Sequence, residues 1–239
     1  MTMVMTIVLK FRSDTKPFSR VSCQSSLMRE IKMPLENKLL LENKVAIVVG
    51  GGQTPGETIG NGRATAILFA REGAKVAVAD RLLSSAEETV KLIVDEGFEA
   101  FAYELDVRDE EGIRNLVSTV LQQWGRIDIL HNNVGVSIAG QDASVEKITA
   151  EGFDNMVAIN LRSMVLTSKH VLPHMREAGA GVIINISSLA AIKPFPLIGY
   201  KTTKAAVIAL TEQLAASNAR YGIRANVILP GLMNTPMAV

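Results

Sequence analysis

The chain has 239 residues and a mass of 25.8 kDa, with 48% hydrophobic and 21% charged residues, enough for one globular domain with a sizeable core. Lys and Arg total 25 against 24 Asp and Glu; the net charge of +1 excludes a strongly basic nucleic-acid binder. No apolar run reaches the roughly 18 residues of a membrane span, and the single Cys23 excludes an internal disulfide and any multi-cysteine metal site, consistent with a reducing, cytoplasmic setting.

Residues 1–32 differ in composition from the rest. They carry six basic and two acidic residues, a balance of +4, whereas the remaining 19 basic and 22 acidic residues give −3. The segment is also rich in serine. It reads as a disordered leader, a transit-like segment for organelle import, or an upstream start with Met33 as the natural beginning. Residues 33–239 are then the folded domain.

From Lys44 the hydrophobic pattern alternates between two periods. Val45–Val49 is a short apolar run, the signature of a strand buried on both faces. A helix is predicted over Gly62–Gly73, a strand over Lys75–Ala79, and a helix over Ser84–Glu96 with Ser85 and Glu88 at capping-box spacing. Ala100–Leu105 reads as strand, Glu110–Trp124 as helix and Ile127–His131 as strand. A long helix from about Ala150 to Arg176 precedes strand Val182–Ile186, helix Tyr200–Ala219 and strand Arg224–Leu229. Strands alternating with helices mean βαβ units. The expectation is an α/β, doubly wound parallel sheet of six strands in a single domain.

The first strand runs into Gly50-Gly51-Gly52, and Gly56, Gly60 and Gly62 follow before the helix. A strand, a glycine-rich turn and a helix N-terminus form a pyrophosphate cradle, because glycines admit the close approach and the helix end presents N–H groups. Asp80 closes the second strand eighteen residues beyond Gly62, where a carboxylate accepts ribose hydroxyls. A 2′-phosphate beside it meets like-charge repulsion, on the order of 4 kcal/mol at about 4 Å and an effective dielectric of about 20. The reading is therefore NAD, with NADP possible because Arg81 is adjacent.

Tyr200 and Lys204 stand four apart at a helix start and share one face. An ammonium beside a phenol favours phenolate, which predicts a lowered Tyr200 pKa and a usable acid/base. Ser187 and Ser188 end the preceding strand, at the edge where ligands bind in such sheets. Asn160 sits inside an apolar helical pattern, where a buried amide needs partners.

With these residues in place, the chain resembles the compact short-chain dehydrogenase/reductase family over about Lys44 to Met237. The motifs, in order, are Gly60-Asn61-Gly62-Arg63-Ala64, Asp80, Asp106-Val107, Asn132-Asn133-Val134-Gly135, Asn160, Asn185-Ile186-Ser187-Ser188, Tyr200 with Lys204, Asn226, and Pro230-Gly231 with Thr235-Pro236. The resemblance implies a Rossmann fold and an alcohol/ketone oxidoreductase. Tyr200 is then the acid/base, Lys204 its partner and holder of the nicotinamide ribose, and Ser188 the hydroxyl on the reacting oxygen. Asn160 organises a water leading from Lys204. Gly50, Gly60, Asn61, Gly62, Gly135, Pro230 and Gly231 form the cofactor's backbone cradle. Asp106 and Val107 contact adenine, Asn133 the ribose side, and Thr235 the nicotinamide amide. A homo-oligomer, dimer or tetramer, is likewise implied.

The sequence departs from the family pattern in four places. Nine residues separate Gly50 from Gly60, more than usual, so Gln53–Glu57 must bulge or fold over the phosphates. Asn61 replaces an aliphatic residue. The Ser188-to-Tyr200 gap of twelve is short, and its apolar loop with Pro194, Phe195 and Pro196 suggests a partly hydrophobic substrate. The chain stops at Val239, without the family's substrate lid and last strand, which predicts an open edge on the sixth strand and low activity. Competing readings are an NAD-using epimerase or dehydratase of the extended branch, and a non-catalytic nucleotide-binding module. His170 and His174 have metal-like spacing but lack a following Glu and a third ligand, so no metal is expected.

Overall fold

The computed structural model describes residues 7–10 and 39–235. They form one seven-stranded sheet: β1 (Ile7–Lys10), β2 (Val45–Val49), β3 (Lys75–Asp80), β4 (Ala100–Glu104), β5 (Ile129–Asn132), β6 (Gly181–Ile186) and β7 (Ile223–Leu229). The spatial order is β1-β7-β6-β5-β2-β3-β4. Strands β2 to β7 are parallel, as the alternating pattern predicts. The chain leaves β2 toward β3 on one side and returns to β5 on the other, and this reversal opens a crevice beyond the strand ends.

The expected open edge on the last parallel strand is not what the structure shows. Ile7–Lys10 from the leader pairs antiparallel with β7, Ile7 opposite Leu229 and Lys10 opposite Asn226. A strand's unpaired N–H and C=O groups are a template for any extended segment, and here the chain supplies its own. The rest of the leader reading, and the chain end from Pro236, lie outside the described residues.

Among the described residues six α-helices cover the sheet: α1 (Asn61–Arg71), α2 (Leu83–Asp95), α3 (Glu110–Trp124), α4 (Ala150–Val157), α5 (Ser163–Glu177) and α6 (Ile198–Asn218). On one face Ile47, Val49, Leu130 and Ile183 pack with Ile113, Leu116 and Val120 of α3 and Val171 and Met175 of α5. On the other, Ala46, Val48, Val76 and Val78 meet Ala66 and Ala70 of α1 and Ala86 and Ile93 of α2. Every residue of β2 is at most 2% exposed, which is why that strand shows no alternation.

Two local expectations change. The predicted capping box at Ser85 and Glu88 does not form. The Ser85 hydroxyl accepts from Gln53 N at 2.6 Å and donates to Gln53 O at 3.0 Å, while Glu88 pairs with Arg63. The long helix from Ala150 is interrupted by one π-helical turn, Ala158–Arg162, between α4 and α5. Asn160 lies within it, its side chain drawn onto the backbone of Val136.

A buried polar chain ties the layers together. Thr167 of α5 donates to Asn132 of β5, whose amide donates to Asn185 of β6, whose amide donates to Thr211 of α6, at 2.9, 2.9 and 3.0 Å. Next to Asn132, His131 has no hydrogen-bond partner for either ring nitrogen among the described residues and packs edge-on against Phe69. Burial pushes its imidazole from 6.5 down to about 4.

Because the folded pKa of His131 lies below the unfolded one, its neutral form's stability is complete above pH 6.5 and drains as pH falls toward 4. Urea midpoints at pH 7.5 and 4.5 should reveal a loss of about 2–3 kcal/mol that His131→Leu lacks. Equal pH sensitivity of the two proteins would contradict this. Deleting residues 1–10 should accelerate amide exchange along β7 and promote self-association, read by deuterium-exchange mass spectrometry and light scattering. Unchanged exchange would mean that β1 does not protect that edge.

Candidate active site

A cleft of about 1140 Å³ runs across the C-terminal ends of the parallel strands. Of the residues singled out from the sequence, Gly50, Gly60, Asn61, Gly62, Asp80, Asp106, Val107, Asn133, Gly135, Ser188, Tyr200, Lys204, Pro230, Gly231 and Thr235 all line it; Asn160 does not.

At one end the glycine turn is packed to backbone tolerance. Gly50 has φ +80, a conformation most side chains avoid. A Cβ on Gly62 would fall 1.8 Å from the Gly50 carbonyl oxygen, so the second residue of α1 sits directly on the turn. Asn133 reinforces this contact, its amide donating to Gly50 O at 3.0 Å. It thus locks the loop in addition to lining the cleft. Gln53 closes the inserted segment, its side-chain oxygen accepting from Gly60 N at 2.9 Å. Thr54 and Pro55, just beyond it, reach the cleft wall.

The acidic groups beside the turn are held in place. The Asp80 carboxylate accepts from Gly52 N at 3.0 Å and from Leu82 N at 3.2 Å, and a Cβ on Gly52 would come within 2.7 Å of it. Asp106 is gripped by the Arg108 guanidinium and backbone N–H. These bonds, the side-chain ones foremost, hold its carboxyl below the usual range despite partial burial.

At the other end, β6 and α6 bring the polar set together. Ser187 and Ser188 both line the cleft, but Ser187 is buried and commits its hydroxyl to the Lys204 carbonyl at 2.6 Å, whereas Ser188 is only half-buried. The structure thereby separates two serines that the sequence leaves adjacent and alike. Tyr200 lies in the first turn of α6, with the Phe195 ring 5.5 Å away. Lys204 is 2% exposed, and its ammonium donates to Ile186 O at 2.8 Å. A Cβ on Gly135 would approach that nitrogen to 2.8 Å, so the glycine leaves room for it. Burial pulls Lys204 down from 10.5 to about 8.

The expected lowering of the Tyr200 phenol by Lys204 is not found. Burial pushes the phenol above its ordinary value, and the nearby Ser188 hydroxyl partly offsets this. Lys204 Nζ lies over the ring, 5.7 Å from its centroid, and is bonded to Ile186 O. Asn160 is fully buried. Its oxygen accepts from Val136 N at 2.8 Å, and its amide donates to Val136 O and to Thr203 Oγ1 at 2.9 and 3.2 Å. Both amide protons are engaged, so the side chain clamps the loop after β5. Of the two histidines with metal-like spacing, His170 bonds Glu110 at 3.0 Å.

Ser85, Arg108 and Thr203 support the site without a site role read from the sequence, and Gln53, expected only as part of the inserted segment, closes the turn. Only Arg108, two residues after Asp106, had a local signal. Gln53 and Ser85 meet across 32 positions of chain, and Thr203 meets Asn160 across 43.

The cradle that only glycine fits, the carboxylate at Asp80 and the buried ammonium at the far end suit a dinucleotide in extended form, and the cleft leaves room for a second small molecule. Comparison with known proteins agrees. The family model described as short chain dehydrogenase matches residues 44–239. The chain is 36% identical over 201 residues to 2-(R)-hydroxypropyl-CoM dehydrogenase of Xanthobacter autotrophicus, covering 82% of this chain and 76% of that one. It is similar to the solved structure of levodione reductase, with 34% identity and a TM-score of 0.76 over 83% of this chain and 75% of that one. A structure of 7α-hydroxysteroid dehydrogenase complexed with NADH and 7-oxo glycochenodeoxycholic acid is 31% identical with a TM-score of 0.73, covering 81% and 72% of the two chains. On these grounds the chain belongs to the short-chain dehydrogenase/reductase family of oxidoreductases, enzymes acting on CH–OH groups.

Proposed function

We propose that the protein interconverts a secondary alcohol and a ketone with NAD(H), using Ser188, Tyr200 and Lys204. The observation that carries this reading is their convergence at one end of a cleft whose other end presents Asp80 beside a glycine cradle. When bound, the nicotinamide supplies or accepts the hydride. The chain's own residues handle the oxygen and its proton. Ser188 offers a hydroxyl to orient the reacting oxygen. Burial keeps the Tyr200 phenol protonated at neutral pH, ready to donate to a carbonyl oxygen in the reductive direction. Lys204, anchored at Ile186 O, places a positive charge over the phenol ring and would hold the nicotinamide ribose. Asn160 acts from behind by fixing Val136, which lines the cleft.

Asp80 supports NAD over NADP. Its carboxylate is tethered by two backbone N–H groups and cannot swing away from a 2′-phosphate. The NADH complex of the similar 7α-hydroxysteroid dehydrogenase supports the same choice. The exposed apolar side chains of Phe195 and Leu232 on the cleft wall favour a ketone with substantial hydrocarbon surface.

The test is NADH oxidation over a panel of cyclic and acyclic ketones, including cyclohexanone and 2-octanone. Tyr200→Phe should lower kcat/KM by about a hundredfold or more while NADH affinity stays within about twofold. Undiminished turnover by that variant overturns the reading. A nucleotide that copurifies and resists exchange points to an epimerase or dehydratase, and binding without turnover points to a non-catalytic module. Asp80→Asn should raise the NADPH-to-NADH ratio of kcat/KM by about tenfold or more, since one pair of close like charges is removed. An unchanged ratio would place the cofactor preference elsewhere.

A further inference from the structure

Helix α6 carries both Tyr200 and Lys204, yet it begins without a cap of its own. The residue at its N-cap, Leu197, has no side-chain oxygen to offer. The first N–H groups of any helix lack intrahelical acceptors, and unless they find acceptors the first turn frays. Tyr200 lies in that turn.

The missing acceptors come from a distant loop. Ile198 N donates to the Ala143 carbonyl at 2.9 Å. Gly199 N donates to Asp142 Oδ1 at 2.8 Å, and Tyr200 N donates to Asp142 Oδ2 at 2.7 Å across 58 positions of chain. Three successive N–H groups are thus satisfied by two consecutive residues between β5 and α4. Asp142 is only 8% exposed, and its carboxylate also accepts from Ala143 N at 2.9 Å. A carboxylate removed from water needs such donors, and the positive end of a helix is a favourable place for it.

The surroundings are shaped around this contact. Gln141, immediately before Asp142, has φ +68, a conformation uncommon for a residue with a side chain. A Cβ on Gly199 would lie 2.8 Å from Asp142 Oδ1, so the carboxylate reaches the helix only because that position is glycine. Meanwhile Ser188 and Tyr200 are joined by a loop in which 192–196 are all exposed. That loop is fastened to α6 through one side chain, Lys201, whose ammonium donates to the Ala190 and Lys193 carbonyls at 3.1 and 2.7 Å. One turn further on, Lys204 is tied to β6 through Ile186 O and Ser187 Oγ. Upstream of these ties, the first N–H groups of the helix are held by Asp142 and the Ala143 carbonyl, with Asp142 bonding Tyr200 itself.

We infer that Asp142 is a positioning residue for the reaction: through the backbone N–H groups of Gly199 and Tyr200 it holds the Tyr200 hydroxyl in register with Ser188. This rests on the proposed roles of Tyr200 and Ser188. Small displacements of reacting groups cost far more in turnover than in binding, about a hundredfold for 1 Å. The effect belongs in kcat and not in cofactor affinity.

The test compares full-length variants with NADH and the ketones cyclohexanone and 2-octanone. Asp142→Ala removes both acceptors and should lower kcat by about ten- to a hundredfold, with NADH affinity within about twofold of the parent. Asp142→Asn keeps one acceptor oxygen and should fall between. Asp109→Ala is the matched control: Asp109 caps α3 by accepting from Glu111 N at 2.9 Å, outside the cleft. That substitution should lower the melting temperature by about 2–4 °C, as a lost cap does, and leave kcat unchanged. If Asp142→Ala does not fold, the Asn variant carries the comparison. Should kcat of the Asp142 variants match that of Asp109→Ala while Tyr200→Phe is inactive, the positioning role is wrong and the catalytic reading stands. Full activity of Tyr200→Phe, or no turnover by the unaltered chain, overturns both.

Discussion

The site is organised around one buried charge. Taking an ammonium out of water costs several kcal/mol even after the protein relaxes. Lys204 bears that penalty with the Ile186 carbonyl as its hydrogen-bond acceptor among the described residues, and burial lowers its pKa only to about 8, so it remains largely charged at neutral pH. Accommodating it dictates its neighbours. Gly135 must lack a side chain to leave the nitrogen its space, and Ser187 must hold the Lys204 backbone so that the stem points at β6. The β5–α4 loop, β6 and α6 are thereby locked together, and Tyr200, one turn before the lysine, is carried to the cleft mouth.

The same convergence explains how the sheet and the site support each other. The Thr167–Asn132–Asn185–Thr211 chain crosses β5 and β6 directly beneath the ends that bear the site. Half-satisfied buried amides are expensive, so these side chains favour one arrangement of α5 and α6 over the sheet. Asn160 acts similarly at the loop above. Its bonds to Val136 accompany a π turn, a widened segment that lets the amide reach across without breaking the helix.

The parallel sheet was legible because fully buried strands and amphipathic helices leave different periods in the sequence. The glycine turn, Asp80 and the Tyr200–Lys204 pair were legible because their spacing is local. Other features had no local sign. β1 pairs with a strand more than 200 positions away, and a short apolar stretch in a basic leader does not announce an edge partner. Ser85 and Glu88 have the right spacing for a capping box, yet tertiary partners Gln53 and Arg63 claim them. The Tyr200 phenol differs from its local pattern for a similar reason: helical spacing places an ammonium near the ring but says nothing about how deeply the ring is buried. In the structure, burial is the larger effect.

The lengthened glycine turn shows how a site tolerates a departure from its family's pattern. Six residues, 54–59, leave and return between Gln53 and Gly60, whose side chain and backbone are bonded directly. The backbone of Gln53 is fastened in turn to Ser85 of α2, and Gly62 rests on Gly50 from α1. With both limbs pinned, the geometry of the cradle is independent of what lies between them. Closing a somewhat longer loop costs only about 0.6 kcal/mol for each doubling of its length. The insertion therefore changes the cleft wall, through Thr54 and Pro55, while the close contact of Gly62 with Gly50 is kept.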